Sequence, residues 1–283
     1  MGVSRKWIIG SVVSAILGEL FTASAAFADD QPFAFAYTTD VETRGEKEIE
    51  QHLTWSSGHA KEAFQALESR IELEYGITDN FQGSLYLNYD WSRTHDHSAP
   101  GPAQTSSVAS VSGEFIYQLL NVYFDPFGFA LYAEPTIGNG TRAFELKALF
   151  QKNFLNDDLR LVFNLNAEDR WEKELGHYNE NSALEFYTGT TYNITPEWSL
   201  GAELDNERGY DGLILGGSPV YSENAYFAGP TVQYVGHPLR IVLGVQAQLP
   251  WASDPTHTPG TIIDGYLAGA ERFRARLRLA MDF

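Results

Sequence analysis

From residue 46 to the C-terminus, apolar and polar positions alternate in segments of ten to fourteen residues. Side chains on a β-strand point to opposite faces in turn, so a period of two marks strands with one apolar and one polar face. Twelve such segments fall near 46–56, 63–76, 81–93, 107–120, 128–138, 141–154, 159–172, 182–194, 198–210, 223–235, 239–250 and 270–283. The last alternates without a slip: Phe273, Ala275, Leu277, Leu279, Met281 and Phe283 on one face, Arg274, Arg276, Arg278, Ala280 and Asp282 on the other. Thr78-Asp79-Asn80, Asn156-Asp157-Asp158, Thr195-Pro196-Glu197 and Gly236-His237-Pro238 supply tight turns between strands, built from residues that tolerate turn geometry. The 121–127 connection, with Asp125-Pro126, is the longest on that side, and the intervening connections 94–106, 173–181, 211–222 and 251–269 are longer and polar. After Leu20 no apolar run reaches the length of a membrane helix. In lipid only helices and closed barrels satisfy the backbone. The expected fold is therefore all-β: a single antiparallel transmembrane barrel of about twelve strands, with short periplasmic turns and longer extracellular loops. A soluble β-sandwich would share the alternation but requires no such asymmetry between its two ends.

Tryptophan positions agree with this topology. Trp55, Trp91, Trp171 and Trp251 close upward strands at the proposed outer end, and Trp198 opens one at the inner end, each in the apolar parity of its strand. Tyr75, Tyr192, Tyr234 and Phe283 share that parity at inner ends, as expected of the aromatic girdles at the two membrane interfaces. At the N-terminus Arg5 and Lys6 precede an apolar run from Trp7 to Leu17, and Ala26-Phe27-Ala28 gives a small-x-small site. That is the pattern of a secretory signal peptide. Residues 1–28 are expected to be removed, 29–45 to form a periplasmic segment (a short strand, or one tucked at the barrel mouth), and 46–283 the barrel. No cysteine exists for a lipid anchor, a disulfide or a thiolate metal site.

Two stretches carry family resemblances. The C-terminal face of Phe273, Leu277, Leu279, Met281 and Phe283 resembles the signal that the barrel assembly machinery reads in Gram-negative outer-membrane proteins. The run from Ile71 to Tyr89 (IELEYGITDNFQGSLYLNY) and the opening from Tyr37 to Glu50 (YTTDVETRGEKEIE) resemble outer-membrane barrels grouped as "phenol-degradation meta-pathway" transporters. These motifs are turn and strand chemistry, so the resemblance implies fold and transfers no catalytic residue.

The polar parity points into the barrel, where chemistry is expected. It places Glu48, Glu50, Glu68, Arg70, Glu72, Glu134, Glu145, Glu168, Arg170, Glu185, Glu203 and Asp205 in the lumen, with Arg274, Arg276 and Arg278 stacked as a ladder. Closing the barrel sets that ladder against Glu48 and Glu50, either as a register-fixing ion-pair network or as a charged track along a pore. Without residues 1–28 the chain has 17 basic and 36 acidic residues, a balance that argues against nucleic acid as partner. His95-Asp96-His97 is a weak metal-ligand pattern in an outer loop, and no cofactor is implied. No G-x-S-x-G or comparable serine–histidine motif is present. The expected protein is not an enzyme. It is a passive channel or substrate-specific pore for a small-molecule solute, in contact with outer-membrane lipids of a Gram-negative bacterium. The alternatives are a closed structural or adhesion barrel acting through its loops, and an outer-membrane hydrolase.

Overall fold

The structure is a computed structural model describing residues 31–95, 103–174, 176–217 and 219–283. The expected signal peptide and His97 lie outside the described residues. Twelve antiparallel strands close into one barrel. In chain order they are β1 (Lys47–Ser57), β2 (Ala63–Thr78), β3 (Phe81–His95), β4 (Ala103–Leu120), β5 (Gly128–Gly138) and β6 (Thr141–Phe154). Then follow β7 (Leu159–Glu174), β8 (His177–Asn193), β9 (Trp198–Asp211), β10 (Val220–Val235) and β11 (Leu239–Gln248). In the last long loop β12 (Ile262–Ile263) and β13 (Tyr266–Leu267) form a small hairpin, and β14 (Phe273–Asp282) completes the barrel. β14 pairs with β11 on one side and β1 on the other, with Glu48 opposite Asp282 and Ser57 opposite Phe273. Every barrel strand thus has two partners, and no edge is left to pair with another chain.

The two faces differ as the alternation requires. Leu85, Val111, Phe115, Leu131 and Leu200 stand out from the wall, which in water would be a large apolar liability and in lipid is the contact surface. The inner side instead buries Glu72, Glu114, Gln82, Gln151, Gln233 and Gln246. At the turn-side rim Trp198 and Tyr234 pair across β9 and β10, with ring centroids 4.8 Å apart.

Two features depart from the expectation. β8 begins at His177 and β10 at Val220, so most of the expected loop 173–181 and the two ends of the expected loop 211–222 are strand. The residues there are polar in both parities (Asn179, Glu180, Asn181; Ser222, Glu223). They give no apolar alternation, yet their backbones still continue the ladder. The second departure is residues 31–42. They lie in the turn-side half of the bore, deeper than its mouth, with Phe33, Ala34, Phe35, Ala36, Thr38, Thr39 and Glu42 buried. Phe33 and Ala36 pack on Val162, Ala34 and Phe35 on Val242, and Val41 on Ile116, Ala130, Tyr132 and Leu149. Glycines in the wall make room. A Cβ on Gly189 would stand 2.6 Å from the Phe33 ring, and one on Gly244 2.4 Å from the Ala34 Cβ.

Candidate functional site

The bore holds the chemistry, and β1 and β14 organise its turn-side half. Arg278 reaches across the closing seam to both oxygens of Glu50 (Nε–Oε1 2.9 Å, Nη2–Oε2 2.8 Å) and donates to the Phe33 carbonyl at 2.9 Å. His52, two residues on and on the same face, lies 2.7 Å from Glu50 and 3.4 Å from Glu72 through Nε2. Arg240 contacts Glu48 and lies 3.4 Å from Asp282. Arg274 binds Asp205 at 2.7 Å and Glu207, takes Gln246 as a further acceptor, and sits between the rings of Phe35 and Phe227. Arg276 departs from the expected ladder. It donates to Thr54 Oγ1 at 2.8 Å and the Ala34 carbonyl at 3.3 Å, and makes no ion pair among the described residues. Register is the cause: Arg278, opposite His52, reaches Glu50 on the diagonal, whereas Arg276 has Thr54 opposite and His52 on the same diagonal, so no β1 glutamate stands beside it.

The segment 31–42 is held in this half almost wholly by side chains of the wall. Glu203 accepts the amides of Ala34, Phe35 and Ala36, each at 2.8 Å. Asn164 accepts from the Tyr37 amide at 2.7 Å and donates to its carbonyl at 2.9 Å. Gln151 accepts from the Thr39 amide and Gln118 donates to the Thr39 carbonyl, both at 2.8 Å, and Gln82 accepts from the Glu42 amide at 2.7 Å. Tyr37 meets Tyr132 edge-on at 5.5 Å, with the Lys147 ammonium over both rings.

Toward the loop end the inward carboxylates stand directly opposite one another on neighbouring strands: Glu134, Glu145 and Glu168 on β5 to β7, Glu185 and Glu207 on β8 and β9, Glu68 and Asp90 on β2 and β3. Like charges in such pairs destabilise a sheet unless compensated. Arg70 compensates Glu134 at 2.9 Å, Lys147 compensates Glu145 at 3.1 Å, and Arg170 compensates Glu168 at 2.8 Å. Among the described residues Glu185 accepts the Tyr187 hydroxyl, at 3.0 Å, and makes no ion pair. Glu68 and Asp90 are exposed and make no ion pair among the described residues. Above this level the last loop folds against the inner wall, Leu267 packing on Ala225 and Phe227. It borders an open cavity of about 670 Å³, lined by residues that include Lys61, Glu62, Glu223 and Thr258.

Metal-like groupings occur at Glu50, His52 and Glu72 and at Glu42, Glu48 and Glu74. Arg278 already engages both oxygens of Glu50 and Arg240 contacts Glu48, so both groups read as ion-pair networks. His95 ends β3. Of the expected interface aromatics, Trp55 and Trp198 are exposed on their strands, Trp91 and Trp171 are half-buried, and Trp251 lies beyond the end of β11 as an exposed loop residue. Phe273, Met281 and Phe283 are exposed, and Leu277 and Leu279 are half-buried. The segment was expected at the barrel mouth and lies deeper; the residues that sequence reasoning missed are Asn164, Gln82, Gln118, Gln151 and the inward glycines. A polar Gln or Asn in lumen parity was the only signal available.

Solved barrels resemble this one in fold. The COG4313 outer membrane channel from Pseudomonas putida F1 superposes with a TM-score of 0.59 at 12% identity, over 87% of this chain and 98% of that one. The NanC porin gives 0.52 at 10% identity, over 83% and 100%. The translocator domain of the autotransporter NalP from Neisseria meningitidis gives 0.52 at 12%, over 97% and 98%. No curated protein matches the sequence. A model described as a family of unknown function, DUF6662, matches residues 25–283, and the chain belongs to that family.

Proposed function

We propose that this barrel is an outer-membrane channel of a Gram-negative bacterium, passing small hydrophilic solutes with a preference for cations. After export and removal of residues 1–28, the barrel assembly machinery would insert it through its C-terminal strand. The observation that carries this reading is the charged inner wall, above all the carboxylates aligned across strands in the loop-side half. A barrel that only needed to fill its interior would be served by apolar side chains; rows of charge instead suit water and select permeant ions. The channel and porin named above support the reading through fold, and the hairpin resemblance of Ile71 to Tyr89 likewise supports the fold without naming a solute.

The test is a planar-bilayer recording of the purified protein under a salt gradient. Stepwise current with a cation-selective reversal potential is expected. Changing Glu68 to Gln together with Asp90 to Asn should move that potential toward zero and leave thermal stability nearly unchanged, because neither carboxylate is tied into an ion pair among the described residues. The filled turn-side half of the bore favours a second reading, a closed structural barrel. Absence of any current, from the full chain and from a variant lacking residues 31–42, would select it.

A further inference from the structure

We propose that the turn-side half of the bore is a binding site for an extended peptide, that residues 31–42 are its resident occupant, and that such peptides are the solute class of the channel. Peptide binding stands apart from conduction; naming peptides as the solute rests on the channel reading above.

The seat recognises main chain. From Phe33 to Glu42 the wall engages the carbonyls of Phe33, Ala34, Tyr37 and Thr39 and the amides of Ala34, Phe35, Ala36, Tyr37, Thr39 and Glu42. Every partner in that set is a side chain, since the backbone of the wall is committed to the barrel ladder. Asn164 imitates a neighbouring strand by giving and taking one bond at the same residue. Glu203, 3% exposed, offers one carboxylate to three consecutive amides and makes no ion pair among the described residues. Hydrogen bonds to a charged acceptor are the strong ones, and converging backbone amides form a ready anion partner. Side-chain selection is looser: pockets under Gly189 and Gly244 take an aromatic ring and a methyl group, giving an alternating small–aromatic preference.

An apolar seat would be left exposed by departure, at a cost set by its area. This seat is mixed: Val162, Val242, Ile116, Ala130, Tyr132 and Leu149 give it an apolar floor, and Glu203, Asn164, Gln82, Gln118, Gln151, Arg276 and Arg278 give it the polar groups that hold the main chain and that water can solvate in the occupant's place. Among the described residues the segment is joined to the barrel wall covalently only through residues 43–46.

The experiment uses the variant lacking residues 31–42, folded in detergent, and a fluorescein-labelled synthetic peptide of residues 31–42 (QPFAFAYTTDVE). Saturable binding by fluorescence anisotropy is expected. It should weaken at least tenfold when Glu203→Gln is added, and at least tenfold when the peptide is N-methylated at Phe35 and Ala36, a change that removes donors while keeping every side chain. Maltoheptaose should not compete. No saturable binding, equal binding of the N-methylated peptide, or competition by the oligosaccharide would each overturn the proposal. If the shortened barrel does not fold, a full chain carrying a protease site in place of residues 43–46 is cut after folding and offered the labelled peptide. Exchange supports the site and absence of exchange overturns it. Binding without stepwise current would discard the channel and the solute class while retaining the peptide site; block of an existing current by the peptide supports both.

Discussion

Replacing Arg278 and Arg276 in turn by alanine separates two kinds of buried cation on one strand. Arg278 is 5% exposed and its partner Glu50 3%. Two charge-assisted bonds join them, and a third goes to the Phe33 carbonyl. Arg278→Ala leaves Glu50 buried with His52 as its remaining close partner, and breaking a buried pair in this way costs about 3–5 kcal/mol. Arg276 holds a hydroxyl and a carbonyl, neither charged, and lies 4.6 Å from the Phe35 ring centroid. Its loss should cost about 1–2 kcal/mol from the bonds and the ring contact together. The predicted gap of about 2 kcal/mol is roughly thirtyfold in the folding equilibrium. Urea unfolding in phospholipid vesicles, followed by tryptophan fluorescence, measures both variants against the parent. Equal losses, or a larger loss for Arg276→Ala, would refute the assignment of the seam charge to the Glu50–Arg278 pair.

Gly244→Ala sets a methyl group 2.4 Å from the Ala34 Cβ and 3.4 Å from the Phe35 ring; amide exchange at Ala34 to Ala36 should quicken at least tenfold, and unaltered protection would show that the wall yields instead. In the last loop Asp254 accepts from Thr256 Oγ1, the Thr256 amide and the Thr258 amide, and these bonds, that of the Thr256 side chain first, hold its carboxyl below the usual range. Its contribution should be full above the ordinary aspartate pKa of about 3.9 and fade as pH falls through the lower folded value. Protection of the Thr256 and Thr258 amides reports this, and a profile unchanged in Asp254→Ala would count against it.

The barrel was legible because each strand writes its two environments into alternate positions. The terminal strand showed it best: Arg274, Arg276 and Arg278 alternate with Leu277 and Leu279, which puts charge on one face and apolar surface on the other, as a wall between lipid and a polar bore requires. Closure set the ladder against β1, but the pairing inside it depended on register. A residue's opposite number on β1 is invisible until the strands are laid side by side, which is why Thr54 rather than a glutamate meets Arg276. Residues 31–42 were illegible for a related reason. Phe33, Ala34, Phe35 and Ala36 are enclosed on all sides, so no polar parity appears, and their amides bond to Glu203, Asn164 and Gln151, more than one hundred positions away. The polar outer ends of β8 and β10 hid because a strand wet on both faces has no pattern to show.

Those outer strand ends set the height of the molecule. β8 has 17 residues; at about 3.4 Å per residue and a tilt near 40°, it rises some 45 Å along the barrel axis, against an apolar band about 25 Å tall. On the side of β7 to β10, with 14 to 17 residues each, the wall therefore clears a band of that height, whereas β1, β5, β11 and β14, with 10 or 11 residues, about match it. On the channel reading proposed above, a solute arriving from the loop end would pass beside these taller, polar strand ends before it met the acidic rows.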